Sequence, residues 1–479
     1  MQQRLRSTHA RLGTILLCSI IGSILTLPAA MAAGSTQPVW GTAQRIDANP
    51  SANPPLVVAD KQGNAIAIWT QPDAGPQQYG LWANRYTVGQ GWSKPALIND
   101  YIGEAWAPTL AMNEKGEAIA AWVQFSLFDE SNPSSPTIST LWTNRFDPAK
   151  GWAKPNQIQD ALNNPGDARV AIDEKGNAIV VWDQTNVALD LPNVYGKRYS
   201  ARDGWAKAQP LQRDAASWGA LPELAMNENG LAMVEWSQMH PTTPATFDVA
   251  FTRYLPGTGW TKADVIPEAG TSVKIAVDEQ GSAMAAWSAN DATFQPHVFA
   301  SRYNAQHGWD KPEQLDAPLQ DGSADHVRLT MNGDGQAFAL WNELIAPPFD
   351  SYSFEIHASR YVVGKGWEGD QKVGITATYP EVQMNAQIGI DGQGNATAVW
   401  EQENSAEPYL YPMPATNMLA FHYTVGKGWD AGQTIQAGTD PAGFASIAVT
   451  ENGDVFAAWQ QQDPTTFDYS LWANRYAKP

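Results

Sequence analysis

Short apolar runs, rich in β-branched and aromatic residues and partly alternating, recur along the whole chain between Gly, Asn and Asp. That pattern predicts strands separated by tight turns, and no stretch holds a sustained helical period. In the best-defined segment the predicted strands are Thr109–Met112, Ala118–Val123, Leu141–Phe146 and Trp152–Ile158. Asn113-Glu-Lys-Gly116 joins the first two. Asn can bond its own backbone there, and Gly supplies a positive φ. Asp147–Gly151 makes a similar turn between the third and fourth.

The segment repeats. Its tryptophan returns as Trp69, Trp122, Trp182, Trp236, Trp287, Trp341, Trp400 and Trp459, at intervals of 53, 60, 54, 51, 54, 59 and 59 residues. Six residues before each stands a glycine, from Gly63 to Gly453. Three before that stands Asp or Asn in seven units and Thr450 in the eighth. Downstream comes an Arg-aromatic pair (Arg85-Tyr86 to Arg475-Tyr476, with His422-Tyr423 the departure), then a Gly-Trp step. A period of this size means a solenoid, a propeller or an array. Four antiparallel strands per unit describe a propeller blade.

The chain ends decide between an open array and a ring. The eighth unit stops at Trp472-Ala-Asn-Arg-Tyr476, after its third strand, while Val39–Ile46 matches the missing fourth-strand pattern of Gly91–Ile98. An N-terminal strand completing the last blade would close the ring and remove an open sheet edge. The expected fold is all-β: one eight-bladed propeller of four-stranded antiparallel blades over residues 34–479. The repeat resembles the broad class of secreted bacterial β-propeller repeat proteins, and its Asp-x-x-Gly-Asn hairpin is similar to NHL-type repeats. Neither likeness implies a specific activity.

Residues 1–33 read as a targeting segment. Arg4, Arg6 and Arg11 precede the apolar run Leu12–Leu27, and Ala30-Met31-Ala32 supplies an A-x-A cleavage site. The sole cysteine, Cys18, lies inside that run, so the processed chain has no disulfide, thiolate ligand or thiol nucleophile. A bacterial periplasmic or secreted monomer, without a membrane span once processed, is expected. An uncleaved anchor is the alternative. The formal charge is −19. Such an acidic chain argues against nucleic acid or an anionic membrane surface as partner.

Turns between strands one and two, and three and four, share one face and are short and uniform. Connections two-to-three and blade-to-blade share the other and vary widely. Variable loops more often carry binding. The recurrent tryptophans are expected to pack between blades, the recurrent Arg to bond carbonyls or carboxylates, and the Gln two after Trp to satisfy backbone groups. Ligand-binding candidates are the aromatics outside the repeat: Trp106 and Trp218, expected in blade-to-blade links on the variable face, and Tyr101, Tyr352, Tyr379, Tyr409 and Tyr411 on the same face. Loop acids such as Asp129, Glu130, Asp350 and Glu355 could supply a carboxylate pair.

Hydrolase elbows, zinc-protease helices, phosphate loops and EF-hand series are absent, and the histidines show no metal-ligand spacing. Neither a metal nor another cofactor is expected. The quinoprotein tryptophan-docking pattern and the sialidase Ser-x-Asp-x-Gly-x-x-x-Trp box are also missing. The expected function is non-catalytic recognition of a glycan or protein on the variable face. The alternatives are a secreted glycoside hydrolase or lyase with a carboxylate pair at the channel mouth, and a scaffold in an envelope assembly.

Overall fold

The computed structural model describes residues 38–477 apart from 73–78, 100–102, 127–137, 160–163, 187, 189, 213, 215–216, 240–246, 292, 318–321, 346–352, 375–382, 404–415 and 464. All regular structure among them is β, arranged as eight antiparallel sheets. In blade 2 the strands are Glu104–Met112, Ala118–Phe125 and Ser139–Asp147, and the outermost strand is split into Gly151–Trp152 and Asn156–Gln157. Pro155 stands in the break, where it has no N–H to give to a ladder. First strands of neighbouring blades touch all the way round, including blade 8 against blade 1, so they line a central channel.

The ring closes as the sequence predicts. Val39 pairs with Ala477 and Trp40 with Tyr476, and Gln44 and Arg45 pair with Ala473 and Trp472. No helix among the described residues is long and apolar enough to cross a membrane.

Each second strand is buried on both faces because a neighbouring blade covers each one. Ala118–Val123 is buried throughout, which explains its near-continuous apolar run. All eight repeat tryptophans have no exposed surface. Each fills the seam to the preceding blade. Trp122 packs with Ile66, Ile68 and Leu81 of blade 1, and Trp69 with Phe456 and Leu471 of blade 8. The Gln two positions on serves the indole first: Trp69, Trp122, Trp182, Trp236 and Trp459 donate Nε1–H to Gln71, Gln124, Gln184, Gln238 and Gln461 at 2.6–3.3 Å, and Gln461 also gives its Nε2 to the Ala437 carbonyl, the backbone role expected of it.

The short turns work as expected. Asp60 Oδ1 accepts the N–H of Asn64 at 2.8 Å, and Thr450 Oγ1 does the same for Asp454 at 3.1 Å. The recurrent Arg does more than bond carbonyls. Arg145 gives Nη2 to the Gly176 carbonyl and also lies 4.0 Å from the ring centre of Tyr199 on the next blade. Arg85, Arg198, Arg253, Arg302 and Arg360 make the same forward contact, and Arg475 reaches Tyr86 across the closure. The single departure, His422, keeps the pattern by stacking on Tyr476 at 3.9 Å. A ring of cation–π and stacking contacts therefore runs round the propeller, each cation–π pair worth about 0.5–2 kcal/mol.

Candidate functional site

Seven of the eight first strands carry a register shift at one common level, on the side of the variable loops. The shifts fall between Trp106 and Thr109, Pro165 and Ala168, Ala220 and Glu223, Thr271 and Lys274, Asp325 and Arg328, Met384 and Gln387, and Gly443 and Ser446. A bulge inserts an extra residue and re-aims a side chain. In six blades that residue is a non-glycine in the left-handed region: Ala107, Leu221, Ser272, His326, Asn385 and Phe444, with φ of 44–58°. Each such residue costs about 1–2 kcal/mol. The repeated strain sets a rim of outward side chains round the channel mouth.

The rim is chemically mixed. Leu221 is 64% exposed, Trp106 55% and Phe444 49%, while Asp167, Ser272, His326 and Asn385 are exposed polar residues at the same level. A buried carboxylate and a half-buried one hold two of the apolar members. Glu401 accepts the Phe444 N–H at 2.9 Å and an Asn385 amide hydrogen. Asp183 accepts the Leu221 N–H, and burial pushes its carboxyl up to about 6. Gly166 and Gly443 leave room for these acids. A Cβ there would stand 2.6 Å from Asp183 Oδ2 and 2.1 Å from Glu401 Oε2.

Below the rim, four adjacent blades place charge on the channel wall: Arg169, Glu223, Lys274 and Arg328. Glu223 bridges Arg169 Nε at 3.0 Å and Lys274 Nζ at 2.7 Å. Burial alone would raise Glu223, but the two cations outweigh it and hold its carboxyl below the usual range. Glu235, its cross-strand partner, is pushed well above that range by burial and then by the charge of Glu223. Arg328 donates to the Val327 carbonyl at 3.3 Å.

The face of uniform turns has chemistry of its own. The residue after the turn's Asx, or after Thr450, is Glu114, Glu174, Glu228, Glu279 or Glu451 in five blades, and the turn residues surround the opposite mouth. Burial first, then the charges of Glu228, Glu174 and Glu451, push Glu114 up to about 7.

The structure places Trp106 on the first strand of blade 2, at its bulge, rather than in the preceding link. Trp218 does lie in a link. It is half-buried, 5.2 Å edge-on from the exposed ring of Phe247. Tyr101, Tyr352, Tyr379, Tyr409 and Tyr411, with Asp129, Glu130 and Asp350, lie outside the described residues. Glu355 is not a loop acid: it is buried in the third strand of blade 6 and bonded to Lys372 at 2.9 Å. Sequence reasoning missed Leu221, Phe444 and the four wall charges. Aligning the first strands of all blades would have exposed them as the positions where an otherwise uniform unit disagrees with itself.

No family model matches the chain, and no curated protein matches it. Among solved structures it is similar to the polysaccharide lyase Uly1, with a TM-score of 0.46 and 10% identity, over 82% of this chain and 94% of that one. It is similar to the β-propeller domain of the Trilobed protease from Pyrococcus furiosus, with a TM-score of 0.44 and 9% identity, over 83% and 97%. It is also similar to the Hadza microbial sialidase Hz136, with a TM-score of 0.37 and 14% identity, over 61% of this chain and 63% of that one. None of these likenesses assigns an activity to this chain.

Proposed function

We propose that this chain is a binding propeller that takes a glycan over the channel mouth on the variable-loop face. The rim carries this reading: one backbone device, repeated six times at a cost in strain, presents a different side chain from almost every blade. A device kept only for packing would repeat its side chain as well, as the eight core tryptophans do. Leu221 and Phe444, with Trp106 just ahead of the left-handed Ala107, offer apolar surface for the carbon face of a sugar, and the polar members between them offer partners for hydroxyls. The test is a glycan-array screen of the chain and of Trp106→Ala and Phe444→Ala. Hits that weaken at least tenfold in both variants, with melting temperatures held, support the reading. An array without hits, together with capture of one protein from envelope extracts, would replace it with protein recognition.

A second reading, a carbohydrate-active enzyme, draws on Asp183. Burial, with a smaller push from the charge of Asp167, brings its carboxyl to about 6, which suits general acid chemistry near neutrality. Turnover of a bound glycan that disappears in Asp183→Asn, with binding retained, would select the enzyme.

A further inference from the structure

Blade 6 departs from the repeat at three positions together. Two residues after the core tryptophan, where six blades carry Gln, it has Glu343. Opposite that tryptophan, where Trp82, Trp142, Tyr195, Phe299, Leu419 and Trp472 stand in other blades, it has His357. At the start of the outer segment, where Pro95, Pro155 and Pro312 stand, it has Asp370. Each change substitutes a metal-ligating side chain for a packing or amide residue, and the fold brings the three together.

His357 Nδ1 lies 2.7 Å from Asp370 Oδ1 and 3.3 Å from Glu343 Oε2. The three ligand atoms fall within 4.8 Å of one another. We propose that Glu343, His357 and Asp370 form a binding site for a divalent transition ion of the zinc class, seated where blade 6 meets the link from blade 5. One imidazole nitrogen and two carboxylate oxygens, with a water as fourth ligand, make a tetrahedral set of the kind zinc takes. The imidazole disfavours calcium and magnesium, which prefer all-oxygen shells.

The surroundings match a metal site as closely as the ligands do. A metal-bound histidine normally gives its other ring N–H to a carboxylate. Here His357 Nε2 faces Glu355 Oε2 at 3.4 Å, and Lys372 anchors the other Glu355 oxygen at 2.9 Å. Trp341 Nε1 donates to Glu343 at 3.3 Å. The Ala317 N–H, from the blade 5 link, donates to Asp370 Oδ2 at 3.2 Å. Every ligand is thus held by a second group.

Charge points the same way. Among the described residues, the cationic groups facing Glu343, Glu355 and Asp370 are Lys372 and the imidazole, so one negative charge is left over even with His357 protonated. Asp316, which adds to the field on Glu343, is itself bonded to His297 at 2.6 Å. A dication in place of the imidazole proton brings the cluster to neutrality, and its binding expels that proton. Ligands about 2.0–2.1 Å from a tetrahedral ion stand about 3.3 Å apart. Glu343 and His357 already have that spacing, while Asp370 Oδ1, 2.7 Å from His357 Nδ1, stands about half an ångström inside it and must shift to join the set.

The test is calorimetric titration of the chelator-treated chain with Zn²⁺ in buffers of different ionisation heat, with Co²⁺ absorption as a second readout. One ion per chain, release of a proton and a tetrahedral Co²⁺ spectrum are expected. Glu343→Gln and His357→Phe each restore a side chain found at that position in other blades, so the blade should fold. Each should weaken binding at least 100-fold. Glu355→Gln should cost 10–100-fold while keeping the stoichiometry. Wild-type protein that takes up no Zn²⁺, or variants that bind it as wild type does, would overturn the proposal. If a variant does not fold, the wild-type Co²⁺ spectrum decides: a non-tetrahedral spectrum refutes the site.

Discussion

Removing Val39–Ile46 tests the closure of the ring. The deletion takes away the pairs Val39–Ala477, Trp40–Tyr476, Gln44–Ala473 and Arg45–Trp472. It also removes the bonds from Gly41 N to Arg475 O at 2.9 Å and from Ile46 N to Leu471 O at 2.8 Å, and the Ile46 carbonyl that accepts from Asn84. Ile46 is 1% exposed in the cluster that joins blades 8 and 1, where loss of a large aliphatic side chain costs about 2–5 kcal/mol. Trp40 packs 5.6 Å from Tyr476 and 6.0 Å from His422, pairs worth about 0.5–1.5 kcal/mol each. With net hydrogen-bond losses near 1 kcal/mol apiece, the total is about 6–12 kcal/mol, comparable to the whole stability of a typical domain. The deleted chain should therefore lose its cooperative melt, or melt far lower, and self-associate through the bare edge of Tyr469–Ala477. Thermal and denaturant unfolding with size-exclusion chromatography read this out, and Ile46→Ala should show an intermediate effect. A deletion variant that melts like wild type and elutes in the same oligomeric state would mean that the last blade is stable without its outer strand.

Trp122→Ala should cost about 3–5 kcal/mol by chemical denaturation, because it empties a fully buried seam, whereas Trp106→Ala should leave stability within about 0.5 kcal/mol. Equal losses would show the rim tryptophan to be structural. Tyr199→Leu keeps apolar bulk but removes the ring under Arg145, so it should cost about 0.5–2 kcal/mol; no change in the denaturation midpoint would deny the cation–π ring a share in stability. Glu114 has a folded-state pKa of about 7, above its ordinary value of 4.5, so folding favours its protonated form. Its contribution is fully present below 4.5 and is lost as pH rises toward and through 7. Glu114→Gln should therefore raise unfolding stability at pH 8 but not at pH 4, by an amount on the order of 1 kcal/mol after screening of this part-exposed group; identical pH profiles in thermal and denaturant melts would refute it. We propose further that the exported chain begins near Ala33 and contains no cysteine, which intact-mass measurement of secreted protein decides; a mass that retains residues 1–32 would disprove it.

Eight units in one chain act as an internal alignment, and this determines what was legible. Positions such as Trp122, Gly116 and Arg145 repeat because every seam poses the same packing problem, so strand count, turn chemistry and closure could be read directly. The bulge could not. No local propensity distinguishes Ala107, Leu221, Ser272, His326, Asn385 and Phe444 as one class, because a left-handed residue is imposed there by register and not favoured by its own side chain. The charged wall is hidden from any one unit for a related reason: Arg169, Glu223, Lys274 and Arg328 each look like an ordinary strand residue until the first strands are laid side by side, as the ring lays them. Glu343, His357 and Asp370 show the same limit most sharply. Their separations of 14 and 13 residues match no ligand motif, since two strands and the break in the split outer strand supply them. Yet each is an anomaly when its blade is laid on the other seven. In a repeat protein the scaffold is written in what recurs and sites are written in what departs. Departures become evidence of a site only when several of them, remote in sequence, converge on one place in space. Trp218 departs alone and packs on a neighbour, whereas the blade 6 residues depart together and meet.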